Sequence, residues 1–327
     1  MVRNVTDVDD SILPKARELG IDFLQLAEQE MERFSEDMTA LNTRPAALEP
    51  RATDSIDDII ELIQQLQDGG HTYVTEGTTY FDVTTFPAFG KLSHLSEQQM
   101  VALAAERGGN PEDPKQRNAL DFVLWQPSAE DEPRWDSPFG VGRPGWHIEC
   151  SAMSMNALGP TIDIHGGGAD LIFPHHECEI AQSEAINGSP FSRYWIHAAL
   201  VAYQGAKMSK SLGNLVFVSD LRQEIDPRAI RLALLAHHYR SEFEWFDEEG
   251  PRAQADLEIL IQAASVAEPI SDGPLIDEVR EALDDDLNAP RVRELLLEAA
   301  RVVIGRPSQA TQSCVAAAAA LCGIELR

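Results

Sequence analysis

Cysteine is scarce in this sequence, with only four among 327 residues. That number is too small for a disulfide framework in a chain of this size, so a disulfide-stabilised secreted scaffold is excluded. Cys150 and Cys178 lie in histidine-rich segments, where metal binding is the better interpretation. Cys314 and Cys322 lie in an alanine-rich tail, where free cysteine usually packs as a small apolar side chain.

Long apolar runs are also absent. No stretch approaches the roughly 20 apolar residues that a membrane-spanning helix requires, and the N-terminus, Met-Val-Arg-Asn-Val-Thr-Asp, lacks the apolar core of a signal peptide. The hydrophobic content of 43% and charged content of 24% are typical of a soluble globular protein. We therefore expect a cytoplasmic monomer with no membrane partner.

Basic residues are few beside acidic ones. The chain has 26 lysines and arginines against 54 aspartates and glutamates, a net charge of −28 with no basic stripe. A polyanion such as tRNA is repelled at long range by such a field unless a local patch overcomes it. The composition thus disfavours tRNA as a partner.

The hydrophobic pattern predicts alternating helices and strands. Residues 2–6 are typical of the end of a buried strand, and residues 71–83 of a hairpin around Glu76 and Gly77. Short strands are predicted at 161–164 and 198–203. Helical spacing of apolar residues covers the segments 11–38, 53–66, 251–267, 274–284 and 289–304, followed by an alanine-rich final helix.

This order of elements, with polar motifs at strand ends, predicts a doubly wound α/β domain. We predict a catalytic domain over residues 1–246, with an inserted helical and hairpin segment at about 40–138. Residues 247–327 are predicted to form a C-terminal helical bundle.

Two histidine-rich motifs carry metal-ligand chemistry. Residues 143–150 read Arg-Pro-Gly-Trp-His-Ile-Glu-Cys, and residues 173–179 read Phe-Pro-His-His-Glu-Cys-Glu. If Pro174 occupies the first turn of a helix, the three side chains that follow at i, i+3 and i+4 share one face: His175, Cys178 and Glu179. Together with Cys150 they are suitable zinc ligands. The alternative is that paired histidines at a helix start are capping or core residues.

A glycine-rich turn stands between these motifs. His165 is followed by Gly166, Gly167 and Gly168, which allow backbone to approach a ligand closely, and Asp170 offers a carboxylate to an ammonium group. The alternative is an ordinary tight turn. Trp146, four residues before Cys150, either walls a small pocket or fills the core.

A basic loop follows the last predicted strand of the α/β domain. Residues 207–211 read Lys-Met-Ser-Lys-Ser, which puts two lysines and two hydroxyls on one short segment. Lys207 and Lys210 are suited to holding the phosphates of ATP and to neutralising charge on leaving pyrophosphate. The alternative is a solvated basic turn.

In order and spacing, these motifs resemble the catalytic domain of the class I aminoacyl-tRNA synthetases, specifically the cysteinyl branch. Residues 4–10, Asn-Val-Thr-Asp-Val-Asp-Asp, also match the segment that follows the second strand in that family. The resemblance covers nearly the whole chain. It implies a Rossmann-type parallel sheet, here without its first strand region, and a C-terminal helical domain.

The resemblance also implies roles for individual residues. Zinc would be held by Cys150, His175 and Glu179, with Cys178 or water completing the set. ATP, with Mg²⁺, would use Lys207 and Lys210 at the phosphates, and the residues implied near the rest of the nucleotide are His165, Gly166, Gly167, Gly168, Met208, Ser209 and Ser211. Cysteine would contact Thr6, Trp146 and Asp170, the last through its ammonium group.

Two kinds of enzyme make up this branch: cysteinyl-tRNA synthetases, and ligases that join cysteine to the amine of glucosaminyl-inositol in mycothiol synthesis. Residues 212–221 with 226–235, and residues 105–114, resemble the ligases. The sequence also ends after one helical region, without an anticodon-binding module. We therefore expect an ATP-dependent ligase that forms cysteinyl-adenylate and transfers cysteine to an amino sugar.

One feature of the branch is missing from these 327 residues. Both kinds of enzyme carry, upstream of the position of Met1, a strand with a further zinc-ligand cysteine and a His-Ile-Gly-His-like phosphate motif. We therefore expect an N-terminally truncated chain. Two alternatives stay open: a truncated cysteinyl-tRNA synthetase, and a non-catalytic fragment that binds zinc or cysteine.

Overall fold

The computed structural model describes residues 1–8, 12–209, 212–305 and 312–327. By packing, the chain divides into two compact units. The first contains Met1–Glu30 and Ala46–His197, and the second contains Met31–Pro45 and Ala198–Arg327. Within the described ranges, no helix has the length and apolar character needed to cross a membrane. The division at residues 246 and 247 stays a prediction, since a packing unit need not coincide with a domain.

The first unit contains most of the motifs. Its helices, the second of which continues into the second unit, are α1 (Ile12–Leu19), α2 (Phe23–Ala40), α3 (Ile56–Asp68), α4 (Glu97–Glu106), α5 (Trp146–Leu158) and α6 (Glu177–Asn187). An antiparallel sheet has the order β1 (Thr72–Thr75), β2 (Thr78–Phe81), β3 (Phe122–Gln126), β4 (Arg143–Pro144). A separate pair consists of β5 (Ile162–Gly168) and β6 (Ser192–Ala198).

The predicted hairpin is confirmed. Strands β1 and β2 pair from Thr72 opposite Phe81 to Thr75 opposite Thr78. Positive φ angles at Glu76 and Gly77, 49° and 81°, close the two-residue turn, because such a turn matches the twist of the flanking strands.

The N-terminal segment behaves as the end of a strand. Val2 and Val5 form parallel bridges with Leu48 and Arg51. The polar turn that follows in the sequence falls partly outside the described residues, at Asp9 and Asp10.

Helix α3 shows why its sequence is helical. Ile59, Ile63 and Leu66 recur at the spacing of one helix face and are fully buried, in the core that also contains Phe81 and Trp125. Ser55 occupies the N-cap position of this helix. However, its side chain does not cap the helix, because its hydroxyl donates to the Arg51 carbonyl instead, at 2.8 Å.

Glu177, at the start of α6, ties that helix to the loop before α4. Its fully buried carboxylate accepts hydrogen bonds from the backbone N–H groups of Gly90 (3.1 Å), Leu92 (2.7 Å) and Ser93 (2.7 Å). Bonds to an ionised acceptor are the stronger kind. This carboxylate therefore fixes the approach of the loop to the segment that contains the two neighbouring histidines.

We predict that Glu177→Ala lowers the free energy of unfolding by roughly 3 kcal/mol or more, because three N–H groups lose a charged acceptor. Urea denaturation of both proteins measures the difference. Glu106→Ala, which removes an exposed carboxylate at the end of α4, is the control. A Glu177→Ala protein within about 0.5 kcal/mol of wild type, the range of neutral surface changes, would contradict the prediction.

The second unit contains a three-stranded sheet and a helical core. The sheet has the order β8 (Ala206–Lys207), β7 (Val201–Tyr203), β9 (Phe243–Trp245), and β7 pairs with β9 in parallel. Two short strands, β10 (Glu268–Pro269) and β11 (Gln312–Ser313), form a parallel pair. The helices are α7 (Val218–Leu221), α8 (Pro227–Leu234), α9 (Glu249–Val266), α10 (Pro274–Asp284), α11 (Ala289–Gly305) and α12 (Val315–Ala320).

Most predicted elements of this unit are present. Helix α10 has the predicted bounds, and α9 begins two residues before the predicted start. The strand predicted over residues 198–203 is wrong in one respect, since β6 ends at Ala198 and β7 begins at Val201. The chain leaves one sheet and enters another at this point, a change that a continuous apolar pattern does not reveal.

Candidate active site

Three predicted metal ligands come together in the first unit. Cys150 lies on α5, Glu179 on α6, and His175 in the five-residue turn Ile172–His176 that precedes α6. One ligand atom from each lies within 4.8 Å of the other two, and all three residues are buried. Thiolate, imidazole and carboxylate together are a donor set that zinc accepts.

The polar atoms of this group fit a bound cation. Glu179 Oε1 is buried and has no hydrogen-bond partner within the described residues. Burial raises the pKa of the Cys150 thiol well above its usual value, and the Glu179 carboxylate raises it further. Burial also lowers the pKa of His175. A divalent cation offsets the cost of the buried thiolate and gives the free carboxylate oxygen a partner.

Further histidines orient this group. His165 Nε2 lies 3.0 Å from Glu179 Oε2, and His165, His176 and Glu179 form a second set of close donor atoms. A 2.8 Å hydrogen bond joins His176 Nδ1 to His197 Nε2. Burial lowers the pKa of His176 to about 2, so this imidazole is neutral. Such contacts fix the orientation of ligating side chains. The role of His197 was not predicted, because it lies on β6, distant in sequence from the motifs.

His147 makes a similar contact on the other side. Its Nδ1 atom lies 2.9 Å from His175 Nδ1, and burial lowers the pKa of His147 to about 4. Since both rings are neutral, the Nδ1–H of one ring donates a hydrogen bond to the unprotonated Nδ1 of the other, so the two rings have opposite tautomers. The ring of Trp146 packs on His175 with centroids 4.3 Å apart.

A cavity of about 340 Å³ opens onto Cys150, His175 and Glu179, the three candidate ligands that we call the metal group. Its lining includes Thr6, Trp146, His165 and Gly166. The family resemblance implies that these residues contact cysteine or the nucleotide. Asn4 also lines it and donates from Nδ2 to Cys150 Sγ at 3.3 Å. These side chains therefore surround one small chamber.

Asp170 does not belong to the described lining of this cavity. It lies in the short 3₁₀ turn Ala169–Leu171, so its assignment to the ammonium group stays a prediction. Gly167 and Gly168 are also outside the lining. A Cβ at these positions would lie 2.9 Å from His176 Cε1 and 2.5 Å from Asp170 Oδ1. These two glycines therefore make room for the protein's own side chains.

Cys178 is not among the close donor atoms of the described residues. It is buried in the apolar core that includes Phe81, Leu124 and Phe173, where burial raises its pKa. The i, i+4 pair of His175 and Glu179 meets at the metal group as the spacing predicted, whereas Cys178 does not join that pair.

Arg107, which the sequence did not single out, holds the segment between the two motifs. It follows α4, and its Nη1 atom donates to the carbonyls of Asp170 (2.5 Å) and Phe173. These carbonyls belong to irregular backbone, where no regular helix or sheet supplies N–H donors to them, and buried carbonyls need such donors. Arg107 thus stabilises the loop that presents His175.

The lysine loop lies in the second unit. Lys207 ends β8 and is exposed, while Met208 packs on the helical core. Asn214 organises the loop: its Oδ1 accepts from the Ser209 N–H at 2.9 Å, and its Nδ2 donates to the Tyr203 and Lys207 carbonyls. Lys210 and Ser211 lie outside the described residues, so their roles stay predictions.

Comparison with known proteins identifies the family of the chain. Residues 1–254 match the family described as tRNA synthetases class I (C) catalytic domain. A relative from Thermobispora bispora, L-cysteine:1D-myo-inositol 2-amino-2-deoxy-alpha-D-glucopyranoside ligase, is 48% identical over 297 residues, which cover 90% of this chain and 73% of that protein. A cysteine-tRNA ligase from Trichlorobacter lovleyi is 42% identical over 321 residues, which cover 92% of this chain and 65% of that protein.

The fold has a match among solved structures. The crystal structure of Mycobacterium tuberculosis methionyl-tRNA synthetase bound by methionyl-adenylate is similar at a TM-score of 0.63 and 15% identity, over 93% of this chain and 76% of that chain. This match confirms the predicted class I synthetase-like α/β fold. The chain therefore belongs to the family of class I tRNA synthetase (C) catalytic domains, whose members are ATP-dependent ligases.

Proposed function

We propose that this protein activates cysteine with ATP and joins it to the amine of glucosaminyl-inositol. The observation that carries the proposal is the buried group of Cys150, His175 and Glu179 beside a chamber of about 340 Å³, a size suited to an amino acid. The relative from Thermobispora bispora is named for this reaction and is more similar to the chain than the tRNA ligase, at 48% against 42% identity.

We propose zinc as the resident metal, because the donors are one sulfur, one nitrogen and one oxygen, and because Glu179 Oε1 has no partner within the described residues. When bound, zinc supplies a Lewis-acid centre that prefers a thiolate to the hydroxyl of serine, and this preference would give specificity for cysteine.

The rest of the chamber positions the amino acid. Thr6 and Trp146 lie on its wall, and His165 holds Glu179 through Oε2 at 3.0 Å. We propose that Asp170 takes the ammonium group of cysteine. Because these groups act by position, the protein lowers the barrier mainly by orienting reactants and excluding water.

Two bond exchanges complete the proposed reaction. A carboxylate oxygen of cysteine attacks the α-phosphorus of ATP, a P–O bond forms, and pyrophosphate leaves with the electron pair of the broken bond. Lys207 and Lys210 would neutralise the charge that develops on pyrophosphate. The amine nitrogen then attacks the acyl carbon. A C–N bond forms, AMP leaves, and the nitrogen loses one proton to water.

We predict that the protein, given cysteine and ATP, forms an amide with glucosaminyl-inositol and leaves tRNA uncharged. The field of a chain with 28 net negative charges opposes a polyanionic acceptor. Mass spectrometry of the product and acid-precipitable labelling of tRNA measure the two outcomes. Since the amine attacks unprotonated, single-turnover transfer from preformed adenylate should slow as pH falls.

Other outcomes identify the alternatives. Efficient charging of cysteine tRNA with no reaction of the amino sugar would show that the protein is a cysteinyl-tRNA synthetase. Binding of zinc and cysteine without any ATP–pyrophosphate exchange would show a non-catalytic binding protein. Serine in place of cysteine is the matched control, and it should give no amide, because a hydroxyl replaces the thiol.

A further inference from the structure

The first unit contains a second and larger cavity, of about 550 Å³. Trp146 lines both this cavity and the smaller chamber beside the metal group. His147 also lines the larger cavity, and it is hydrogen-bonded to His175 of the metal group. The two spaces thus meet at one aromatic wall, and nothing in the reaction described above occupies the second.

The polar lining of the larger cavity comes mainly from the segment after α4. Asn110, Asp113 and Gln116 belong to this segment, and Gln126 reaches the cavity from the end of β3. Gln116 Nε2 donates to the Asp121 carbonyl at 2.9 Å, but its Oε1 is buried and has no partner among the described residues. Such an acceptor is costly unless a ligand or water donates to it.

The charge of this lining excludes phosphate ligands. Among the described residues that line the cavity, one guanidinium, on Arg107, stands against two carboxylates, on Asp113 and Asp121. Arg107 already donates from Nη1 to two backbone carbonyls. Phosphates are held by clusters of arginine, lysine and N–H groups, and this lining offers the opposite sign.

The two carboxylates differ in how much bonding capacity they retain. Asp121 is committed, since it accepts from the Tyr73 hydroxyl (2.7 Å), the Val83 N–H (2.9 Å) and the Asn118 N–H (2.8 Å). Asp113 accepts from the Lys115 N–H at 3.0 Å and from the Tyr80 hydroxyl at a long 3.3 Å. An ionised carboxylate has about four acceptor positions, so Asp113 keeps capacity for ligand hydroxyls.

We propose that this cavity binds the amine acceptor, a neutral or cationic polyhydroxylated amine of about disaccharide size. Amide and carboxylate groups match sugar hydroxyls, the exposed side chain of Trp146 offers a face for a sugar ring, and the volume falls in the range of small-molecule sites. A sugar that packs on Trp146 would place its amine beside the smaller chamber, where we propose that cysteine binds. This inference rests on the proposed function, because it names the site of that reaction's second substrate.

Equilibrium binding tests the site on the 327-residue chain itself. Glucosaminyl-inositol is titrated by calorimetry into wild type, Asp113→Asn and Gln126→Ala. We expect Asp113→Asn to weaken sugar binding about tenfold or more, the scale of a lost hydrogen bond to a charged acceptor, and Gln126→Ala to weaken it severalfold. Cysteine binding should be unchanged in both. Glu112→Gln is the matched control, since it removes the neighbouring exposed charge outside the cavity.

The outcomes separate the site from the function. Wild-type affinity for the sugar in both cavity variants, no binding to wild type, or displacement of the sugar by a CCA-ending RNA oligonucleotide would overturn the site assignment. If the chain also forms the amide in that case, the proposed function stands without this site. If the variants weaken binding as expected but no amide forms, the site stands and the ligase function fails. Thermal unfolding of each variant confirms that it is folded.

Discussion

Cys150→Ser is expected to leave the purified protein without zinc, whereas the wild type should hold one ion per chain. Cys150, His175 and Glu179 are the three donors of the group whose atoms lie within 4.8 Å of one another. Replacing the sulfur removes the softest donor and the one that zinc binds as a thiolate. His175→Ala should have the same effect. Inductively coupled plasma mass spectrometry of dialysed protein measures the metal content.

The controls for this prediction are two other cysteines. Cys314→Ser changes a partly exposed cysteine in the second unit and should leave the zinc content unchanged. Cys178→Ser should also keep the metal, because Cys178 lies in the apolar core instead of the metal group. Zinc should be released as pH falls, since protons compete for all three ligands. Wild-type protein that contains no zinc, or loss of zinc in Cys178→Ser alone, would refute this assignment.

Lys210→Ala is expected to reduce cysteine-dependent ATP–pyrophosphate exchange by about a hundredfold or more. That is the scale observed when one group that stabilises developing charge is removed. Cysteine affinity should be nearly unchanged, because the lysine is proposed to act on the phosphates. Exchange of labelled pyrophosphate into ATP gives the rate, and calorimetry gives the affinity.

Lys15→Ala is the matched control for Lys210→Ala, because Lys15 is an exposed lysine on α1 paired only with Glu18 among the described ion pairs. It should retain wild-type exchange. An equal loss of exchange and of cysteine affinity in Lys210→Ala would show instead that the loop shapes the amino-acid site. Exchange at the wild-type rate would remove the lysine from the reaction altogether.

The sequence alone determined the family and most of the local structure. The hairpin around Glu76 and Gly77 and the bounds of α10 follow from short-range patterns, because turn geometry and helix periodicity depend on residues close in the chain. The metal group of Cys150, His175 and Glu179 was also predicted, since three ligand types in two short motifs leave few alternatives.

Only the tertiary structure decided which side chains face the site. Cys178 was a possible ligand beside His175 and Glu179, but it packs in the apolar core and is not one of the close donors. Arg107 and His197 reach the site from elements that are remote in sequence. Spacing along a chain fixes direction only within a regular helix or strand. Beyond such an element, packing against the rest of the molecule determines where each side chain points.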